Sequence, residues 1–291
     1  MVEVTCRTVQ GRLLLRPSPQ LNDLVLGILG RAQARYRMTV HYFVVLSNHI
    51  HLLLSPDTPQ QLALFMAFVE ANLAKEAGRL HAWQGPFWAR RYQLIVVSGE
   101  QEAQVARLLY LLRHGVKEGL VDHPRDWPGP NALPALVEGS PLTGVWVDRT
   151  QEYRLRQRQT PVDGSACRCT ETIVLTRLPC WGHLTDAAYR LRLDELVCQV
   201  ESEGLQRRRE QGDPLGLERI QRQHPHQRPS TTKRSPAPLI HAAHRIVRLA
   251  FVDAYRAFVG AYRIAADRLR MGDRLVIFPD RAFPPPLPVG K

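Results

Sequence analysis

Two histidines one residue apart, His49 and His51, stand in the run Val40–Leu54, which is otherwise apolar save His41, Tyr42 and Ser47-Asn48. On a β-strand, side chains two apart share a face, so both imidazoles look the same way. Two imidazoles on one face can hold a divalent metal between them. The competing reading leaves one histidine exposed and satisfies the other in the core. A second pair lies downstream, where Tyr110 and His114 are four apart in a helical stretch and so stack on one helix face. A tyrosine beside a metal ligand is a nucleophile for phosphorus: the metal polarises a phosphoryl oxygen and the phenolate attacks. His114 then supplies a third ligand. The alternative packs Tyr110 among Leu108 and Leu109 and leaves His114 at a helix C-terminus, where the dipole favours it. His41, on the neighbouring strand, is read as structural.

These residues need a scaffold, and periodicity supplies one. Glu3–Leu15 reads as extended segments broken by Gly11, with Val2, Val4 and Cys6 alternating against polar neighbours. A helical stripe (Leu21, Leu24, Val25, Ile28, Leu29) follows to Tyr36, begun near Ser18 or Asn22. Thr39–Leu46 and His49–Leu54 form a strand pair about Ser47-Asn48. Thr58-Pro59 starts a helix to about Gly78, Tyr92–Val97 is a strand, and Ser98-Gly99-Glu100 caps a helix from Gln101 to His114. Gly115 ends or bends it. The order β, α, β, β, α, β, α predicts an α+β domain with helices covering one face of an antiparallel sheet, close to the ferredoxin-like arrangement. Beyond it, Pro124–Pro141 reads as loop, Leu184–Gln211 and Ile240–Met271 as helices, His224–Pro238 as a linker or basic arm, and Pro279–Pro288 as aperiodic.

The chain has 291 residues, with 39 Lys+Arg against 27 Asp+Glu and a formal net charge of +12. The part after Val145 holds 25 of the basic residues and 16 of the acidic ones, so the positive field is concentrated there. That favours a polyanionic partner, nucleic acid before membrane surface. The five cysteines, Cys6, Cys167, Cys169, Cys180 and Cys198, form no regular disulfide framework. Cys167-Arg-Cys169 with Cys180 and His183 completes a zinc site on paper, but without a second close pair these read as loop cysteines. No run of about 18 apolar residues suits a membrane span. No signal-peptide pattern opens the chain, and a cytoplasmic protein is expected.

Asn48-His49-Ile50-His51 on its apolar strand, Leu109-Tyr110-Leu111-Leu112, and Val116-Lys117-Glu118-Gly119-Leu120-Val121 together resemble the single-tyrosine HUH transposases of the IS200-like group. The branch they resemble is that of the REP-associated tyrosine transposases, and the resemblance runs from Val2 to Trp127. It implies a ferredoxin-like domain in which His49 and His51 bind Mg²⁺ or Mn²⁺. It also implies that Tyr110 cleaves single-stranded DNA, leaving a 5′-phosphotyrosine and a free 3′-hydroxyl. The third ligand in such proteins is a polar residue one turn after the tyrosine, often Asn or Gln. Here that position is His114, followed by Gly115 where many relatives carry Pro. On this resemblance residues 1–128 form an HUH tyrosine transposase-like catalytic domain, 129–182 a loop-rich connection and 183–291 a basic, mainly helical C-terminal region.

Two function classes follow. The first is a metal-dependent single-strand DNA endonuclease and strand transferase acting on hairpin-associated DNA. The second is a catalytically inactive hairpin DNA- or RNA-binding protein of the same fold. An unrelated zinc hydrolase is disfavoured because the sequence sets no carboxylate beside the histidines. Candidate nucleic-acid contacts are Trp88, Arg90 and Arg91, which interleave an aromatic with positive charge. More weakly placed are Arg207, Arg208, Arg209, Lys233 and Arg234, whose plain reading is solvated charge. The pair His241 and His244 reads as surface. Insertion-sequence relatives act as dimers and the REP-associated branch includes monomers, so the resemblance leaves both assemblies open.

Overall fold

In β1 (Val2–Arg7), alternation turns Val4 and Cys6 to one face of the strand and Glu3, Thr5 and Arg7 to the other. α1 (Pro19–Tyr36) opens on Ser18, whose side chain accepts the Leu21 N–H, with Pro19 preset for a first helical turn. β2 (Thr39–Leu46) and β3 (His49–Ser55) pair about the Ser47-Asn48 turn. α2 (Pro59–Leu80) repeats the capping device with Thr58 and Gln61. β4 (Gln93–Val97) and α3 (Gln101–Leu112) complete the first half. The computed structural model describes residues 1–158, 166–229 and 238–286.

The strands lie in the order β2-β3-β1-β4, all antiparallel, which is the ferredoxin-like order. Register decides what each face holds. Val4 lies opposite Leu52 and Cys6 opposite Ile50, and this apolar face is covered by α1 and α2, with the Cys6 thiol donating to Glu70 of α2. Thr5 lies opposite His51 and Arg7 opposite His49, so the other face is polar at its centre. α3 crosses that face, tied to it by the Arg107–Glu3 pair.

The second half holds α4 (Leu133–Glu138), β5 (Leu142–Val147), α5 (Arg149–Gln157), β6 (Arg168–Ile173), α6 (Asp186–Gln211), α7 (Leu217–Arg222), β7 (Ile240–His241) and α8 (Arg245–Arg270). Several expectations change here. The segment 124–141 contains a 3₁₀ turn and α4. Its aperiodic part covers the open edge of β2, since Val45 donates to the Pro130 carbonyl and Ala132 to that of Phe43. Its partners are backbone groups of an edge strand, so no apolar period is required of it. The stretch 129–182 is also less loop-like than expected. β5 and β6 form a two-stranded sheet laid on α1, where the Asp23 carboxylate accepts the Val145 N–H and Arg31 pairs with Glu171.

Glu100 does not cap α3 with its side chain. Its carboxylate accepts the N–H groups of Ala243 and His244, both at 2.9 Å, and so caps the turn into α8. That docking lays Ile240–His241 as a short parallel strand on β4, which is why the last long helix begins at Arg245. α3 stops at Leu112, so His114 lies in the turn beyond it. Cys169 sits on β6, and the described cysteines and His183 gather into no metal-binding group.

The core between the sheet and α1 and α2 is centred on Phe43, Leu52 and Leu54 of the sheet and on Phe65 and Met66 of α2. Phe65 is 1% exposed. Replacement by Ala should cost about 3–5 kcal/mol in a urea unfolding titration, since the cavity lies between a helix and a sheet that cannot collapse freely.

Candidate active site

The polar face of the sheet brings together residues far apart in sequence. His49 and His51 project from β3, and His114 comes down from the turn after α3. One ring nitrogen from each lies within 4.8 Å of the others, and all three side chains are buried. The His51 and His114 rings stack with centroids 4.2 Å apart, and His49 meets them edge-on at 5.0 and 5.6 Å.

Each imidazole is oriented by an oxygen acceptor at its Nδ1. For His51 this is Glu3 Oε1 at 2.7 Å, for His49 Asn48 Oδ1 at 2.6 Å, and for His114 Glu118 Oε1 at 3.1 Å. An Nδ1–H donated to these oxygens leaves three Nε2 lone pairs for a shared ligand, the usual outer arrangement around a histidine-bound metal. The orienting groups are themselves held. Asn48 donates to the Gly11 carbonyl at 3.1 Å, Glu118 accepts the Gly115 N–H at 2.7 Å, and Glu3 also takes Arg107. The donor set therefore fits a divalent cation, and Lys117, 3.3 Å from His114 Nε2, is the side chain that would give way to one.

Electrostatics favour neutral rings. Burial lowers all three histidine pKa values, His51 to about 4, and His49 and His114 also drop well below the usual value. Further lowering comes from His51 acting on His49, His114 on His51, and Lys117 on His114. Burial alone would push the Glu3 carboxyl up. His51 and Arg107 outweigh it and hold the group below its ordinary range.

Tyr110 stands beside this cluster, its ring 5.1 Å from His114 and 6.2 Å from His51. It is half-buried and packs against the core, and cations also flank its ring: Lys117 Nζ lies 3.7 Å and the Arg107 guanidinium 4.6 Å from the ring centre. Burial, with help from Glu3, raises the phenol pKa. His41 has both nitrogens engaged, by the Thr176 and Arg177 carbonyls and by Ser55 Oγ, in keeping with a structural role.

Residues 18–109 match the family model described as "Transposase IS200 like". Over that stretch the chain is similar to IS200-like transposases. The match takes in His49 and His51 and stops one residue short of Tyr110. No curated protein matches the chain. Among solved structures, the chain is similar to a REP-associated tyrosine transposase bound to a REP hairpin. That likeness has 15% identity over 47% of this chain and 78% of the other, with a TM-score of 0.38. A Deinococcus radiodurans R1 protein assigned as a transposase gives 20% identity over 38% and 87%, with a TM-score of 0.29. Among the described residues no helix is long and apolar enough to cross a membrane.

The other residues expected to meet nucleic acid stand in unlike surroundings. Arg90 and Arg91 are exposed in the segment leading into β4, where Ala89 donates to the Arg7 carbonyl. Trp88 is partly buried, and its indole N–H is engaged by the Glu70 carbonyl of α2 at 2.9 Å. The cluster Arg207–Arg209 is divided. Arg207 lies against Gly119, Arg208 pairs with Asp122 and Asp213, and Arg209 points to solvent with no acidic partner among the described residues. Lys233 and Arg234 lie outside the described residues.

Sequence reasoning missed Glu3, Arg107, Lys117 and Glu118 as site residues, and it expected no carboxylate beside the histidines. Two carboxylates are there, as hydrogen-bond partners of Nδ1. Their signals were weak but present: an acid on the polar side of an alternating strand, and an acid four residues after His114. Replacing Glu3 by Ala should weaken Mn²⁺ binding about 10–100-fold in a titration followed by electron paramagnetic resonance, because His51 loses the carboxylate acceptor that fixes its tautomer.

Proposed function

We propose that the chain is a metal-dependent single-strand DNA endonuclease and strand transferase, with His49, His51 and His114 holding Mg²⁺ or Mn²⁺ and Tyr110 as nucleophile. The observation that carries this reading is the meeting, on one polar sheet face, of three neutral, pre-oriented imidazoles with a tyrosine flanked by two cations. A family of DNA-processing proteins that matches residues 18–109 supports the same class of chemistry.

A bound divalent ion supplies Lewis-acid polarisation of a non-bridging phosphoryl oxygen. The protein supplies the rest. Tyr110 loses its proton to solvent, and Arg107 and Arg7 stabilise the phenolate that burial, Glu3 and Glu118 disfavour. The phenolic oxygen forms a bond to phosphorus as the P–O3′ bond breaks, and the departing 3′ oxygen takes a proton from solvent. The 5′-phosphate remains on the tyrosine, and attack by another 3′-hydroxyl reverses the step. Bond energy is retained in the phosphotyrosine, so rejoining needs no nucleotide. In this reading Arg7, exposed opposite His49 in the sheet register, and the exposed Arg90 and Arg91 take phosphates of the incoming strand.

The test is incubation with labelled single-stranded hairpin DNAs from the flanks of the chain's own gene. Wild type with Mn²⁺ should give a covalent protein–DNA band, abolished by EDTA and by Tyr110→Phe, with at least a thousandfold loss for His49→Ala/His51→Ala. Tight hairpin binding with no covalent band in Mn²⁺ would instead identify a binding protein of the same fold.

A further inference from the structure

His49 and His51 are fixed by a central strand, but His114 is not. It sits on irregular backbone between the end of α3 and Val121, a stretch with positive φ at both Gly115 and Gly119. The turn is bonded within itself, Lys117 donating to the Arg113 carbonyl at 2.9 Å and Leu120 to that of Gly115 at 2.8 Å. Such bonds fix its shape and not its place over the strand, which a metal site needs held to close tolerance. Its support comes from elsewhere in the chain.

Arg113, next to His114, makes a two-pronged pair with Glu203 of α6, Nε to Oε2 at 2.7 Å and Nη2 to Oε1 at 2.5 Å. Gly204, the next residue of α6, lies against the far end of the same turn. A methyl group there would run into the Asp122 carbonyl and press on Val116 at 3.0 Å. Arg208 donates to Asp122 at 3.0 Å, and Arg207 lies over Gly119. Just past α6, Leu215 donates to the Gly119 carbonyl at 2.8 Å and Gly216 to that of Leu120 at 3.0 Å. α6 is itself anchored in the core through Leu193, Val197 and Val200. The turn bearing His114, Lys117 and Glu118 is therefore gripped along its whole length by residues 203–216.

We propose that α6 and residues 212–216 after it are a positioning element of the metal site, with Glu203 and Gly204 setting where His114 stands. This rests on the metal reading given above. On this view a boundary near residue 128 separates stretches of different composition, and the working unit extends to about residue 216.

The experiment uses the full chain and two readouts: hydrogen exchange of the amides of residues 115–121 without metal, and Mn²⁺ affinity by electron paramagnetic resonance. Glu203→Ala and Gly204→Ala should each speed exchange in 115–121 by tenfold or more and weaken Mn²⁺ binding by a similar factor, approaching the loss expected of His114→Ala measured beside them. Glu203→Gln, which keeps a hydrogen-bonding side chain, should recover most of the affinity. Glu203→Ala removes only a half-exposed ion pair, so it tests the idea even where Gly204→Ala fails to fold. Unchanged exchange in 115–121 would overturn the proposal. So would faster exchange with wild-type Mn²⁺ affinity, since α6 would then brace the turn without setting the site. Absence of Mn²⁺ binding by the wild-type chain would overturn the metal reading and this proposal with it, a failure told apart because the exchange result stands by itself.

Discussion

The carboxylate of Glu3 is buried at the centre of the sheet and accepts from both His51 and Arg107. One side chain thereby joins β1, β3 and α3. A lone carboxylate in that place would carry a desolvation cost of several kcal/mol, and two hydrogen-bonded partners offset it. The dependence runs both ways. Removing the acid strands a nearly buried guanidinium, a loss of the order of 3–5 kcal/mol for a buried pair broken on one side. It also frees the ring whose tautomer the site requires.

That pair depends in turn on a sheet with two unlike faces. Even-numbered residues of β1 and β3 meet α1 and α2 in an apolar layer, which supplies the stability. Odd-numbered residues carry the charge and the imidazoles. α3 suits both demands: Leu108, Leu111 and Leu112 are buried, while Arg107 and Tyr110 look toward the histidines. A single-residue slip of register would carry His49 and His51 into the apolar layer, so the hydrophobic pattern of β2 and β3 protects the site as well as the fold.

The positive charge of the C-terminal half is partly structural. Arg177 holds Asp186 at the start of α6, Arg149 pairs with the buried Glu76, and Arg208 is shared between Asp122 and Asp213. A count of basic residues therefore overstates the surface open to a polyanion. The cations nearest the reactive groups, Arg7, Arg107 and Lys117, belong instead to the half with the smaller net charge.

The secondary elements around the site were legible in the sequence. Alternation, capping serines and threonines, and helical stripes are local signals with short-range causes, and His49-x-His51 inherits its geometry from strand period alone. Tyr110 and His114 kept their proximity although α3 ends between them, because Arg113 keeps helical backbone angles and His114 still donates to the Leu111 carbonyl. The acceptors at Nδ1 were not legible: Glu3 lies 48 positions from His51 and its role appears only through strand register. Nor was the hold of Glu203 on Arg113, 90 positions away. Local sequence determined which side chains share a strand or helix face, since φ/ψ periodicity does so. Only the tertiary structure decided which buried charges meet, because long-range packing selects partners that no local pattern names.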